Sequence, residues 1–153
     1  MASSNVIDQS VSINASSEQV FNALVDADGL TRWFLSKADS DAQTGGGFKY
    51  SWEFNNADQN GTQEGVYSEV ITNEKVSYPW QAGEVPTTVI FSISGNGDQT
   101  TVHLEHSGFG AGENPDQLKE MHDGPWSFYM ANLKSYLENG EDHRAEQIGQ
   151  VTY

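Results

Sequence analysis

Aromatic residues occupy every second position in one short stretch of this chain. Residues 48–54 read FKYSWEF, with rings at Phe48, Tyr50, Trp52 and Phe54 and polar residues between them. Alternate side chains of an extended strand point to opposite faces of a sheet, so one face of this strand is wholly aromatic. The pattern predicts a half-buried strand and leaves two interpretations open. The four rings either fill a core or line a cavity for a ligand.

Acidic residues dominate the charge of the chain. Its 153 residues, a length that suits one domain, include 22 Asp and Glu against 7 Lys and Arg, which gives a formal net charge of −15. Such a surface repels nucleic-acid phosphates and anionic lipids, so we expect neither a nucleic acid nor a membrane as a partner. Solubility or a salty cytoplasm explains the acidity, and the alternative is a basic partner or a cationic ligand.

The chain contains no cysteine, which excludes disulfides, thiolate catalysis and thiolate metal sites. Residues 1–30 carry neither an apolar run nor a basic leader that would indicate a signal peptide. No stretch approaches the ~20 apolar residues that a membrane-spanning helix needs. We therefore expect a soluble, cytoplasmic protein.

Two short helices are predicted after a first strand at residues 6–13. Ser16 and Gln19 match a capping box, in which a hydroxyl and an amide each bond a free backbone N–H. Apolar residues then recur at helical spacing over 20–25, and Leu30, Trp33 and Phe34 continue the pattern in a second short helix. Residues 36–107 show the alternation of strands, with turn signals at 44–47, 55–61 and 95–98.

Three of the later strands carry further candidate core residues. Tyr78 lies on the apolar face of KVSYPW at 75–80, Phe91 on that of TTVIFSIS at 87–94, and His106 on that of TTVHLEHSGF at 100–109. The same alternation that places the aromatic strand half inside the protein directs these side chains inward.

The last predicted element is a long helix that ends at Gly140. Asn114 and Pro115 suit its start, and PWSFYMANLKSYLENG carries an apolar stripe of Trp126, Tyr129, Met130, Leu133, Tyr136 and Leu137. Pro125 removes a backbone donor and clashes with the preceding turn, so we expect a kink or break near 122–125. Residues 145–153 are polar, and we expect them to form a flexible C-terminal tail.

The order of elements predicts an α+β fold in which a curved antiparallel β-sheet of about six to seven strands wraps around the long C-terminal α-helix. Two short helices follow strand 1. We place a single domain at residues 1–144, because the pattern shows no linker or internal repeat within that range.

The sequence resembles the helix-grip proteins of the START-like (SRPBCC) superfamily, in particular the branch named after the activator of the heat-shock-protein-90 ATPase. The resemblance spans about residues 6–144 and is carried by INASSEQVFNALVDADGLTRWF, EGVYSEVITNEKVSYPW, TTVHLEHSGFG and PWSFYMANLKSYLENGEDHR. Pro125 departs from the pattern, which has an ordinary helix residue there. The resemblance implies a hydrophobic cavity between helix and sheet. Members of the superfamily bind lipids, plant hormones and polyketides, and some catalyse cyclisation or hydrolysis.

The facing aromatic surfaces of sheet and helix, together with the resemblance, predict the walls of this cavity. We expect them to be formed by Trp33, Phe48, Tyr50, Trp52, Tyr78, Phe91, His106, Phe109, Trp126, Tyr129, Met130 and Leu133.

The HLEH sequence has the look of a metal motif but the wrong geometry. His103 and Glu105 share one face of their strand and His106 lies on the other, so we predict no metal site and no cofactor. His106 is interpreted as a core residue bonded to a tyrosine hydroxyl or a water, as a polar ligand anchor, or as an acid–base group. His122, beside Asp123, is interpreted as a local capping residue. No nucleophile has a convincing partner, so we predict no catalytic residue.

Three functions remain open at this point. The first is a binding protein for a hydrophobic, lipid-like or aromatic small molecule. The second is a protein-interaction module related to the co-chaperones, and the third is a cyclase or hydrolase that uses His106. A cavity of ~300 Å³ or more favours the first or the third function, and a filled core favours the second.

Overall fold

The structure is a computed structural model and describes residues 6–152. Within that range the strands are β1 Val6–Ile13, β2 Lys37–Ser40, β3 Gly47–Trp52, β4 Gly61–Val66, β5 Glu69–Ile71, β6 Lys75–Ala82, β7 Val85–Asn96 and β8 Gln99–Ser107. The α-helices are α1 Ser17–Val25, α2 Ala27–Leu30, α3 Pro115–Asn139 and α4 Arg144–Gln147, and single 3₁₀ turns lie at Ala57–Gln59 and Phe109–Ala111.

The strands form two antiparallel sheets that meet at one edge. Their orders are β1-β8-β7-β6-β5 and β2-β3-β4. The amide of Gln63 in β4 donates to the carbonyl of Gln81 in β6 at 2.8 Å and accepts from the N–H of Gln81 at 2.8 Å. This pair of hydrogen bonds joins the two sheets where their backbones do not form a ladder.

Residues 61–71 form two strands that belong to different sheets. Tyr67 separates them, because its N–H donates to Gly46 and its carbonyl accepts from Gly45, each at 2.9 Å. The N–H of Ser68 then donates to the carbonyl of Ser77 at 2.8 Å. The chain thus passes from the three-stranded sheet to the five-stranded sheet within two residues.

Helix α1 begins with the predicted capping box. The N–H of Gln19 donates to the hydroxyl of Ser16 at 3.2 Å, and the N–H of Ser16 donates to the side-chain oxygen of Gln19 at 2.9 Å. Asp26 ends α1 and caps α2 through a bond from the N–H of Gly29. Trp33 and Phe34 follow the two short helices and are buried beneath α3.

Helix α3 runs without interruption through Pro125, so the predicted break near 122–125 is wrong, and the alternative of a kink there stays a prediction. Its inner face is formed by the buried residues Trp126, Tyr129, Met130, Asn132 and Leu133. Proline removes a single helical donor, whereas packing of an apolar face supplies most of the stability of a helix. The stripe beyond Pro125 therefore keeps the helix intact. This architecture confirms the predicted α+β helix-grip fold.

Residues 144–151 pack on the domain instead of forming a frayed tail. Arg144 and Gln150 are each 1% exposed. The N–H of Val151 donates to the carbonyl of Glu53 at 2.7 Å, and the N–H of Asn55 donates to that of Gly149 at 2.8 Å. Residues 149–151 thereby pair with residues 53–55, which directly follow β3. Residues 1–5 of the predicted domain and Tyr153 of the predicted tail lie outside the described residues.

Within residues 6–152, no helix combines the length and the apolar character that crossing a membrane requires.

Candidate functional site

A cavity of about 160 Å³ lies between the middle of α3 and the ends of β3 and β6. It is lined by Phe34, Trp52, Trp80, Met121, His122, Pro125, Trp126 and Tyr129. Four of these side chains are buried and form the inner wall, namely Phe34, Trp52, Trp126 and Tyr129. Met121, which is 64% exposed, marks the side that faces solvent.

The aromatic rings of this wall meet at an angle. Trp52 and Trp80 have ring centroids 5.4 Å apart at 67°, and Trp80 and Trp126 have centroids 5.6 Å apart at 50°. Phe34 meets Trp126 at 5.4 Å and 31°. Rigid flat groups in such arrangements contact each other through edges. They therefore leave a space that branched aliphatic side chains would fill.

A chain of hydrogen bonds stands behind the cavity. The indole N–H of Trp126 donates to Nδ1 of His106 at 3.0 Å. Since an indole can only donate, Nδ1 accepts, and Nε2 carries the proton that it donates to the hydroxyl of Thr87 at 2.7 Å. Thr87 in turn donates to the carbonyl of Trp80 at 2.8 Å. The chain fixes the orientation of the Trp126 indole and ties it to the backbone of β6 at Trp80.

His106 points inward as predicted and is fully buried. Burial, followed by the effect of nearby His122, lowers the pKa of His106 to about 3. The expected partner, a tyrosine hydroxyl or a water, is wrong, because Trp126 and Thr87 occupy the two ring nitrogens. His106 is therefore a neutral core residue at physiological pH.

His122 lies on the cavity wall itself. Its Nδ1 donates to the carbonyl of Leu118 at 2.9 Å, one turn earlier in α3. Its ring centroid is 5.5 Å from that of His106, 5.4 Å from Phe109 and 6.4 Å from Trp80. Sequence reasoning treated this residue as a local cap and missed its place in the cavity.

The predicted cavity residues separate into two groups. Trp52, Trp126 and Tyr129 line the cavity. The other nine are buried in the surrounding core and do not line it, namely Trp33, Phe48, Tyr50, Tyr78, Phe91, His106, Phe109, Met130 and Leu133. Ligand contact by any of the twelve residues stays a prediction.

The first two rings of the aromatic strand fill the core. Phe48 and Tyr50 pack with Tyr67 and Tyr78 at centroid distances of 4.8–6.1 Å. The hydroxyls of Tyr50 and Tyr67 are 2.5 Å apart, and that of Tyr67 is 2.6 Å from the hydroxyl of Ser40. Burial raises the pKa of Tyr50 and Tyr78 well above the usual range of a phenol. Phe48 and Tyr50 thus fill the core, whereas Trp52 borders the cavity.

Sequence reasoning missed five lining residues as site candidates, namely Phe34, Trp80, Met121, His122 and Pro125. For two of them, Trp80 and His122, the spacing in the sequence indicated the position. Trp80 follows Tyr78 by two positions on one strand face, and His122 precedes Trp126 by four positions on one helix face. The predicted apolar stripe begins at Trp126, one helical turn after His122.

An outer groove of about 480 Å³ lies on the other side of Pro125 and Tyr129, and its remaining lining residues are Phe54, Gln59, Gly124, Phe128 and Ile148. The hydroxyl of Tyr129 donates to the side chain of Gln150 at 2.6 Å, and the amide of Gln150 donates to the carbonyl of Phe34 at 2.9 Å. This bonding holds Tyr129 in place as the wall between groove and cavity.

No group of three or more metal-ligating side chains occurs in the part of the chain that the structure describes.

Comparison with known proteins identifies relatives with this architecture. A structure of protein MLL2253 from Mesorhizobium loti has a TM-score of 0.73 at 21% identity and covers 86% of this chain and 96% of that one. The Aha1 dimer from Colwellia psychrerythraea has a TM-score of 0.70 at 27% identity and covers 89% and 98%. DynU16, from the dynemicin biosynthetic locus, has a TM-score of 0.73 at 19% identity and covers 91% and 49%.

No functionally curated protein matches the sequence. The family model described as activator of Hsp90 ATPase homolog 1-like protein matches residues 14–138. That range includes α1, all of β2 to β8 and nearly all of α3. The chain therefore belongs to the family of activator of Hsp90 ATPase homolog 1-like proteins.

Proposed function

We propose that this protein binds one small planar apolar molecule, about one aromatic ring in size, in the cavity beneath α3. The single observation that carries the proposal is a space of about 160 Å³ walled by the rings of Phe34, Trp52, Trp80 and Trp126. A cavity of about 150 Å³ with apolar walls stays dry in other proteins and takes up benzene.

The wall suits a ring better than an aliphatic chain. Tryptophan and phenylalanine present both ring faces and ring edges, and aromatic pairs favour offset-stacked or edge-to-face contacts. The tilted wall rings, 5.4–5.6 Å apart between neighbouring centroids, offer such contacts to a guest ring. For a ligand of six to eight heavy atoms we expect a dissociation constant on the order of 0.1–1 mM.

The volume sets an upper limit on the ligand. Pockets for drug-sized molecules span about 300 Å³ or more, and 160 Å³ is roughly half of that. A fatty acid or an intact polyketide would require displacement of Tyr129, which the Gln150 bond opposes. The proposal is therefore narrower than the hydrophobic, lipid-like or aromatic class that the sequence suggested.

A protein-interaction module is the second candidate. It is favoured by the family, whose description names an activator of an ATPase, and by the small size of the cavity. The relative from Colwellia psychrerythraea is described as a dimer. The third candidate, a cyclase or hydrolase, loses its acid–base group, because His106 has both nitrogens occupied and a pKa of about 3.

The test is a titration with toluene, followed by calorimetry and by thermal unfolding in sealed cells. We expect saturable binding of one molecule per chain and a rise in melting temperature, since a ligand of the native state stabilises it. No binding at toluene saturation would contradict the proposal and leave the protein-interaction module as the better account.

Two matched substitutions locate the ligand. Phe34→Trp adds atoms to the inner wall and should weaken toluene binding at least about 10-fold, because the added ring occupies the free space. Phe128→Trp makes the same change in the outer groove and should leave the affinity unchanged. The reverse pattern would place the ligand in the outer groove.

A further inference from the structure

His122 is the polar feature of the cavity wall that the proposed function leaves unused. Its Nδ1–H donates to the carbonyl of Leu118 at 2.9 Å, and a carbonyl can only accept. In the neutral ring this bond fixes the tautomer and leaves Nε2 as an acceptor. Among residues 6–152, no donor reaches that nitrogen within hydrogen-bond distance.

Two other polar groups of the cavity wall already have hydrogen-bond partners. The indole N–H of Trp126 donates to His106, and the hydroxyl of Tyr129 donates to Gln150. The indoles of Trp52 and Trp80 carry donors only. The wall therefore offers a guest molecule one free imidazole acceptor, at His122.

The lining residues also indicate that the guest molecule is uncharged. None of the eight lining residues is Lys, Arg, Asp or Glu, so the cavity holds no permanent counter-charge for a carboxylate or an ammonium group. Burying an unpaired charge costs far more than burying a neutral hydroxyl. A neutral donor on an apolar ring is the group that this wall accommodates.

Resting on the proposed function, we infer that the ligand of this cavity is a neutral aromatic molecule with one ring hydroxyl or ring N–H, which donates to Nε2 of His122. Phenols and indoles are the chemical class. The aromatic wall holds the ring, and His122 distinguishes it from a plain hydrocarbon of the same size.

The experiment compares toluene with p-cresol, which differ by one hydroxyl, in the wild-type protein and in His122→Phe at pH 8. The ratio of the two affinities in each protein cancels the difference in hydration between the ligands. We expect His122→Phe to reduce the advantage of p-cresol about 2- to 10-fold, the worth of one net hydrogen bond.

Two further proteins complete the test. His122→Leu repeats the comparison with a flexible side chain, in case the six-membered ring of Phe overfills the wall, and both variants are checked for cooperative unfolding. His103→Phe, on the outer face of β8 where the side chain is 38% exposed, should keep the wild-type ratio.

The outcomes separate the two proposals. If toluene and p-cresol both fail to bind the wild-type protein, the proposed function fails. If both bind and the ratio is the same in the wild type, His122→Phe and His122→Leu, the function stands and the role of His122 is overturned.

Discussion

Acidification from pH 7 to pH 5 should destabilise this protein through His106. In the folded state Trp126 donates to Nδ1, so a proton can enter only if that bond breaks, and burial first of all lowers the pKa to about 3. In the unfolded chain a histidine binds its proton near pH 6.5. Between about pH 6.5 and pH 3 the unfolded chain thus holds one more proton than the folded protein. Stability therefore falls as the pH falls through this window.

The size of the effect follows from the same window. Each pH unit below the unfolded pKa costs about 1.4 kcal/mol per histidine that stays neutral on folding. About 1.5 units of the interval between pH 7 and pH 5 lie below 6.5, so the free energy of unfolding should fall by about 2 kcal/mol. Burial acts to raise the pKa of Asp142, but hydrogen bonds from Arg144 and Asn132 outweigh it and lower the pKa. The contribution of Asp142 to the free energy of unfolding is therefore lost only at more acidic pH.

Urea unfolding followed by circular dichroism at both pH values measures the loss. His106→Phe removes the titrating group, so its pH dependence should be smaller than that of the wild type by about 2 kcal/mol. Phe128→Leu changes a ring of the outer groove and no titratable group, so it should retain the wild-type dependence. If His106→Phe does not fold, His106→Gln serves the same comparison. Equal pH dependence in the wild type and the His106 variant would refute this reasoning.

Three substitutions test the packing around the site by urea unfolding. Trp126→Ala should cost about 3–5 kcal/mol, because the ring is buried and contacts Phe34, Trp80 and Phe91; a loss below about 1 kcal/mol would contradict these contacts. Arg144→Met should lower the free energy of unfolding by about 3 kcal/mol, because the Arg144 guanidinium bonds a carboxylate and two backbone carbonyls. An unchanged free energy of unfolding would show that these bonds of the C-terminal segment do not stabilise the fold. Gly108→Ala should cost more than about 1–2 kcal/mol, because Gly108 has a φ of +106° and a Cβ there would lie 3.1 Å from Thr87; unchanged stability would argue against this contact.

Most of the fold could be predicted because its signals are local. The period of two at residues 48–52 and 100–106 and the capping box at Ser16 each depend on neighbours within a few positions. The predicted face of His106 was correct for the same reason, since Leu104 and Val102 fix the register. Matching faces on the strands and on α3 then leave few ways to bury them.

The size of the cavity and most of its lining could not be predicted, because they depend on the angles at which rings meet. Phe48 and Trp52 occupy equivalent positions in one strand, yet only Trp52 borders free space. Their difference arises from neighbours distant in the sequence, Tyr67 in one case and Trp80 in the other. Periodicity cannot distinguish a ring that touches another ring from a ring beside a gap.

The packed C-terminal segment has a similar cause. Arg144 and Gln150 are polar, and polar residues near a chain end ordinarily indicate fraying. Both are buried because they reach backbone carbonyls of residues 31–35, and hydropathy carries no trace of such partners. The expectations about nucleic acids, lipid surfaces and cellular location stay predictions.

Ring occupancy of the cavity is tested most directly by the indole N–H signals in a ¹H–¹⁵N NMR titration with toluene. The chain has four tryptophans. Trp52, Trp80 and Trp126 line the cavity, whereas Trp33 donates to the carbonyl of Ala23 at 2.7 Å and does not. We predict saturable shifts of the three cavity signals with one shared dissociation constant and a smaller change at Trp33. Four unmoved signals at toluene saturation would contradict the central claim.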